Sequence, residues 1–252
     1  MTNLPGHRLG RGPLTFSQVV RDAIGMLRQS FRRVALVSLL LFGLPALLAA
    51  LVDRLLEGIE GDIGFLPVSF VVVALLVTIP LRLFGPVLYA GFLDEAVARE
   101  YLHGHHMKFS EVVRTLPWGR LVIADVLLSI GTVIGLALFI VPGVIVYILF
   151  GLVGPVLVQE RRGVVDAFKR TSRISRTAVL PMIVLVIIPV VFEQTIHELV
   201  HDTLHAAGLE FQVIAEWLVA VLIGATVGLL EVALAAELMA RNPEPRLEAP
   251  SA

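Results

Sequence analysis

Residues His197-Glu198-Leu199-Val200-His201 carry the most specific chemical spacing in the chain. On a helix, positions four apart share a face, so both imidazoles can reach one zinc ion. The glutamate between them can then take a proton from a zinc-bound water, as in a metallopeptidase. Such a site needs a third protein ligand, and Glu216, near the outer end of the last apolar run, is the candidate. An amphipathic surface helix accounts for the same residues without metal. Glu193, His197, His201 and His205 form one stripe, with Ile196, Leu199, Val200 and Leu204 opposite, so the histidines occupy a wet face. No cofactor is expected on this second account; zinc, with Glu198 as catalytic base, is the alternative.

The next chemistry-bearing residues are charges inside apolar runs: Arg82, Asp125 and Glu231. Counted from the ends of their runs at ~1.5 Å per residue, they reach one level of the membrane. A charge facing lipid at such a depth costs at least about 2.5–3.5 kcal/mol. Arg82 is therefore expected to point into the bundle and pair with Glu231, Asp125 or both. The cluster His103, His105 and His106 has no closed-site spacing and reads as solvated. The chain has no cysteine, which excludes disulfides, thiolate metal sites and cysteine nucleophiles. Nor does it carry a phosphate-binding glycine loop, a dinucleotide fingerprint or a serine elbow.

The elements that position these residues follow from composition. Hydrophobic residues make up 57% and charged residues 16% of 252, with mean hydropathy +0.87. That excess, gathered in runs, marks a polytopic all-α membrane protein. Six spans are expected, near 34–52, 65–89, 121–140, 143–159, 178–193 and 213–239. They form three hairpins, the middle one turning at Pro142-Gly143. Residues 1–14 read as a flexible tail, 15–240 as a single membrane domain and 241–252 as a disordered tail. Of the 20 basic residues, only Arg54 and Arg82 fall outside the segments on one side of the membrane. Positive charge stays inside, so both termini are expected to be cytoplasmic.

Each hairpin is preceded by an amphipathic segment. In the first, Phe16, Val20, Ile24, Leu27 and Phe31 lie opposite Gln18, Arg21, Asp22, Arg28, Gln29 and Arg32. Phe16-Ser17-Gln18-Val19-Val20-Arg21 recurs as Phe109-Ser110-Glu111-Val112-Val113-Arg114, and Gly163-Val164-Val165-Asp166 is a weaker third copy. A unit of interfacial helix plus hairpin, repeated three times, is expected. Anionic headgroups are the natural partners of the cations on these segments, with Arg28, Arg32, Arg114, Arg161, Arg162 and Arg170 the candidate contacts. Nucleic acid is not an expected partner.

Gly12-Pro13-Leu14-Thr15-Phe16-Ser17, Phe84-Gly85-Pro86, Val141-Pro142-Gly143 and the stretch from Val156 to Ser175 together resemble the glycerophosphodiester phosphodiesterase membrane-domain family. They are also similar to related bacterial six-span proteins of uncharacterised role. The resemblance covers nearly the whole chain. It implies a membrane domain standing without the soluble phosphodiesterase domain, a bacterial cytoplasmic membrane, and no active-site residue. The function expected is therefore non-enzymatic, exerted within the bilayer on lipid or on a membrane-protein partner. A membrane zinc peptidase using the HELVH residues is one alternative, and a small-solute or ion transporter another.

Overall fold

Long apolar runs leave the backbone without water to bond, and a helix satisfies its own N–H and C=O groups. In the computed structural model every regular element among the described residues is helical. Those residues are 13–44, 47, 85–104, 107–189, 195 and 209–243. In chain order the helices are α1 (Phe16–Ser38), α2 (Pro86–Leu93), α3 (Arg99–His103), α4 (Phe109–Thr115) and α5 (Trp118–Leu138). There follow α6 (Ile140–Phe150), α7 (Val153–Gln159), α8 (Val164–Ser175), α9 (Val179–Met182) and α10 (Leu209–Arg241). Three stretches among the described residues are long and apolar enough to cross a membrane: Trp118–Leu138, Val141–Gln159 and Trp217–Arg241. These match the third, fourth and sixth expected spans. The first, second and fifth run partly outside the described residues.

The first amphipathic segment runs into the start of the first expected span as one bent helix. Within α1, Ser30 leaves helical geometry (φ −123°, ψ 30°), where the sequence reading places two separate elements. Beyond Ser38 the chain widens into a π-helical turn, Leu39–Gly43, and the Gly43 carbonyl accepts a hydrogen bond from Trp217 Nε1 at 2.8 Å. A second π turn, Asp94–Ala98, links α2 to α3, and its Ala96 carbonyl accepts from Arg33 at 3.1 Å. Both turns give up regular pairing, and in each a side chain from another helix takes up one carbonyl.

The middle hairpin does not turn at Pro142-Gly143, as its composition suggests. It turns at Phe139, the one extended residue (φ −163°, ψ 154°) between α5 and α6. Pro142 sits in the first turn of α6, where its missing N–H costs nothing. Gly143 serves close approach: a Cβ there would lie 2.7 Å from the Leu136 backbone nitrogen. The fourth span is also broken, at Gly151-Leu152, between α6 and α7.

The buried centre is built from Tyr89, Leu93, Leu121, Leu157, Leu234 and Leu238, contributed by α2, α5, α7 and α10. The Tyr89 hydroxyl lies 2.6 Å from Ser38 Oγ, tying α2 to α1. Small residues let backbones touch, which drives helix association inside a bilayer. Gly154 of α7 is the tightest case against backbone, because a Cβ there would sit 2.5 Å from the Val87 carbonyl oxygen. Gly154→Ala is expected to cost about 1–3 kcal/mol by forcing α2 and α7 apart. Thermal unfolding in detergent checks this, with Gly119→Ala, whose Cβ meets nothing within 4 Å, as the neutral control.

Candidate functional site

Among the described residues two polar clusters sit within this apolar frame. The inner one joins Asp125 of α5, Tyr147 of α6, Glu231 of α10 and the start of α2. The Asp125 carboxylate accepts from the Gly85 N–H at 2.9 Å and the Val87 N–H at 3.1 Å. It thereby caps α2 from another helix, satisfying donors that a helix start leaves open. Pro86, at the first helical position, has no N–H to satisfy, which accounts for the Gly85-Pro86 pair locally. Tyr147 donates its hydroxyl to Glu231 at 2.9 Å, and the Asp125 and Glu231 charges are close enough to interact. The fold thus brings Asp125 and Glu231 near each other. Arg82, the cation assigned to them, lies outside the described residues.

The outer cluster lies roughly 10–15 Å further along the helix axes, at ~1.5 Å per residue. Its hub is Glu95, buried at 2% exposure in the second π turn. One carboxylate oxygen accepts from Arg99 at 2.6 Å, from Arg161 at 2.9 Å and from Thr115 at 3.2 Å. Its other oxygen is buried without a hydrogen-bond partner. Arg161 is held in the left-handed region (φ 51°), unusual for a residue with a Cβ. From there its guanidinium also donates to the Thr115 carbonyl at 2.9 Å. Next to it, Glu160 pairs with Arg162 and, at 3.1 Å, with Arg170, while Arg120 donates to the Arg162 carbonyl at 3.2 Å. The loop between α7 and α8 is thus pinned to the ends of α4, α5 and the π turn.

Asp94, beside Glu95 and beyond the expected end of the second span, accepts a hydrogen bond from Gln159. Burial pushes its carboxyl up to about 8; the Gln159 hydrogen bond opposes this, Glu95 adds to it and Arg99 offsets part of it. In the unfolded chain the same group titrates near 4. Between those values the folded protein holds a proton that the unfolded chain has lost. Asp94 therefore favours folding fully below about pH 4, and that contribution is lost as pH rises through about 8. The melting temperature is expected to fall from pH 6 to pH 9, and Asp94→Asn to flatten that decline. An unchanged slope in the variant would refute the assignment.

The amphipathic helices share a start geometry. The Gln18 side chain accepts from the Thr15 N–H at 3.3 Å, and Glu111 does the same for the Lys108 N–H at 2.9 Å. This is one half of a capping box, so the Gln/Glu exchange in the repeat keeps one role. Behind it, Val19 and Val112 are buried, while Phe16, Phe109, Val20 and Val113 are exposed in matching fashion. The third copy fits in a different register from the one suggested by its valine pair. Gly163 is the residue before the helix, Asp166 takes the Gln18 position, and fully buried Ala167 takes that of Val19.

The cations named for headgroups separate in the fold. Arg28, Arg32 and Arg114 are exposed. Arg161 and Arg162 are committed to the outer cluster. Arg170 corrects its assignment: at 3% exposure it is turned inward to Glu160 and the Asn242 carbonyl, because its position falls on the buried face of α8. Asp22, read as part of a wet face, is likewise buried against the protein. His197, Glu198 and His201 lie outside the described residues, and of Glu216 only its place in α10 is described. Sequence reasoning missed Asp94, Glu95, Gln159 and Glu160. The one available signal was an acidic pair, Asp94-Glu95, placed directly after an apolar run. The chain matches no protein-family model, no curated protein and no solved structure.

Proposed function

We propose that this chain is a six-span, non-enzymatic membrane protein of a bacterial cytoplasmic membrane that acts within the bilayer on anionic lipid. In this proposal three units of interfacial helix plus hairpin place both termini in the cytoplasm, as in the glycerophosphodiester phosphodiesterase membrane-domain family it resembles. One observation carries the reading. The apolar stripe Phe16, Val20, Ile24 and Phe31 of α1 faces away from the protein, and Val19, Ala23 and Met26 fill the protein-facing side instead. A helix with a packed face, a bare apolar face and exposed Arg21, Arg28 and Arg32 has the three surfaces needed at a membrane interface. Phe109, Val113 and Arg114 repeat the pattern on a shorter helix.

The test uses the full chain in nanodiscs holding equal phosphatidylglycerol and phosphatidylethanolamine. Lipids that stay with the protein on gentle release are counted by native mass spectrometry. Phosphatidylglycerol is expected to be enriched over its share of the disc. Retention in the bulk ratio would contradict the reading. The buried Asp125–Glu231–Tyr147 cluster favours a second reading, a transporter whose path uses these groups. Proton- or sodium-driven uptake into proteoliposomes, lost in Glu231→Gln, would support it over the first.

A further inference from the structure

The outer face of α8 meets the end of α6 in a cleft of about 500 Å³. Its lining divides by chemistry. Phe150 and Phe168 form an aromatic floor, with ring centroids 5.3 Å apart and planes tilted at 55°. Lys169, Ser172, Arg173 and Arg176 form the rim. These four rim residues recur at helical spacing, so they share one face of α8. The opposite face holds Ala167, Arg170 and Ile174, all buried. Arg170 is thus committed to the fold, while Lys169, Arg173 and Arg176 line the cleft.

We propose that this cleft binds the headgroup of an anionic phospholipid, an inference that rests on the lipid reading above and gives it a site. The phosphate has donors of two kinds: ammonium from Lys169, and the guanidinium groups of Arg173 and Arg176, whose planar forks match its oxygens. Among the described residues Lys169 and Arg176 make no hydrogen bond or ion pair through their side chains, whereas Arg173 has a partner within the protein. Ser172 adds a hydroxyl. The floor distinguishes a lipid from a free anion. Inorganic phosphate has no apolar part to lay on Phe150 and Phe168, whereas the glycerol and first methylenes of a phospholipid do. Val179 and Leu180, just beyond Arg176 in the chain, are also apolar and exposed.

The test compares the unmodified chain with Lys169→Gln/Arg176→Gln and with the charge-preserving Lys169→Arg/Arg176→Lys. Short-chain phosphatidylglycerol, phosphatidylcholine and inorganic phosphate are titrated separately in detergent, with binding read by native mass spectrometry and by melting temperature. Phosphatidylglycerol binding is expected to fall about fivefold for each charge removed, to persist in the charge-preserving variant, and to have no counterpart with inorganic phosphate. Melting of the unliganded Gln variant within a degree or two of the unmodified chain shows that the loss is not unfolding. If the Gln variant keeps full affinity while the unmodified chain prefers phosphatidylglycerol, the cleft is wrong and the lipid reading stands. A chain with no preference for phosphatidylglycerol over phosphatidylcholine refutes both. Stabilisation by inorganic phosphate as large as by the lipid would make the ligand a soluble anion and overturn the proposal.

Discussion

Arg99→Ala/Arg161→Ala is expected to lose about 3–5 kcal/mol of stability, because it strands the Glu95 carboxylate without a cation in a buried position. Each arginine alone leaves one partner on the same oxygen, so the single variants should lose less than half as much. The informative comparison is Glu95→Gln in the doubly substituted background. A neutral amide removes the stranded charge, and at least half of the lost stability should return. Unfolding of the five proteins, the unmodified chain included, in one detergent gives the result. A triple variant no better than the double would mean that Arg99 and Arg161 act through packing rather than charge.

Asp125→Ala is the second change with a large expected effect. It leaves the Gly85 and Val87 N–H groups without an acceptor in a region the bundle keeps dry. Each orphaned donor costs about 1–3 kcal/mol. Asp125→Asn retains one acceptor oxygen and should lose about half as much as the alanine variant. If both variants unfold alike, the negative charge rather than the capping geometry is what α2 requires.

The parts of this fold legible in the sequence are those set by bulk apolar character. The expected spans 121–140, 143–159 and 213–239 overlap the apolar stretches 118–138, 141–159 and 217–241, because a long apolar run with few charges has few alternatives. The repeated start of α1 and α4 was equally readable, since Gln18 and Glu111 play one local role at one spacing. Tertiary choices were not. Lys169 and Arg170 are adjacent and chemically alike, yet one faces the cleft and the other the Asn242 carbonyl; only the helix phase against α7 and α10 separates them. Glu95 lies in a segment whose other charges suggest water, and its burial depends on Arg161, 66 residues away. Pro142-Gly143 has turn chemistry but works as a helix start, because Phe139 already provides the reversal.

The central claim is that three equivalent helices lie on one side of the membrane. It is tested most directly by side-selective labelling at their second positions, Ser17, Ser110 and Val165, all exposed. The chain has no cysteine of its own, so Ser17→Cys, Ser110→Cys and Val165→Cys each introduce a unique thiol. A membrane-impermeant maleimide, applied to sealed vesicles of known orientation, reports which face carries each. The account predicts labelling of all three from the cytoplasmic face alone; any one of them labelled only from the opposite face would contradict it.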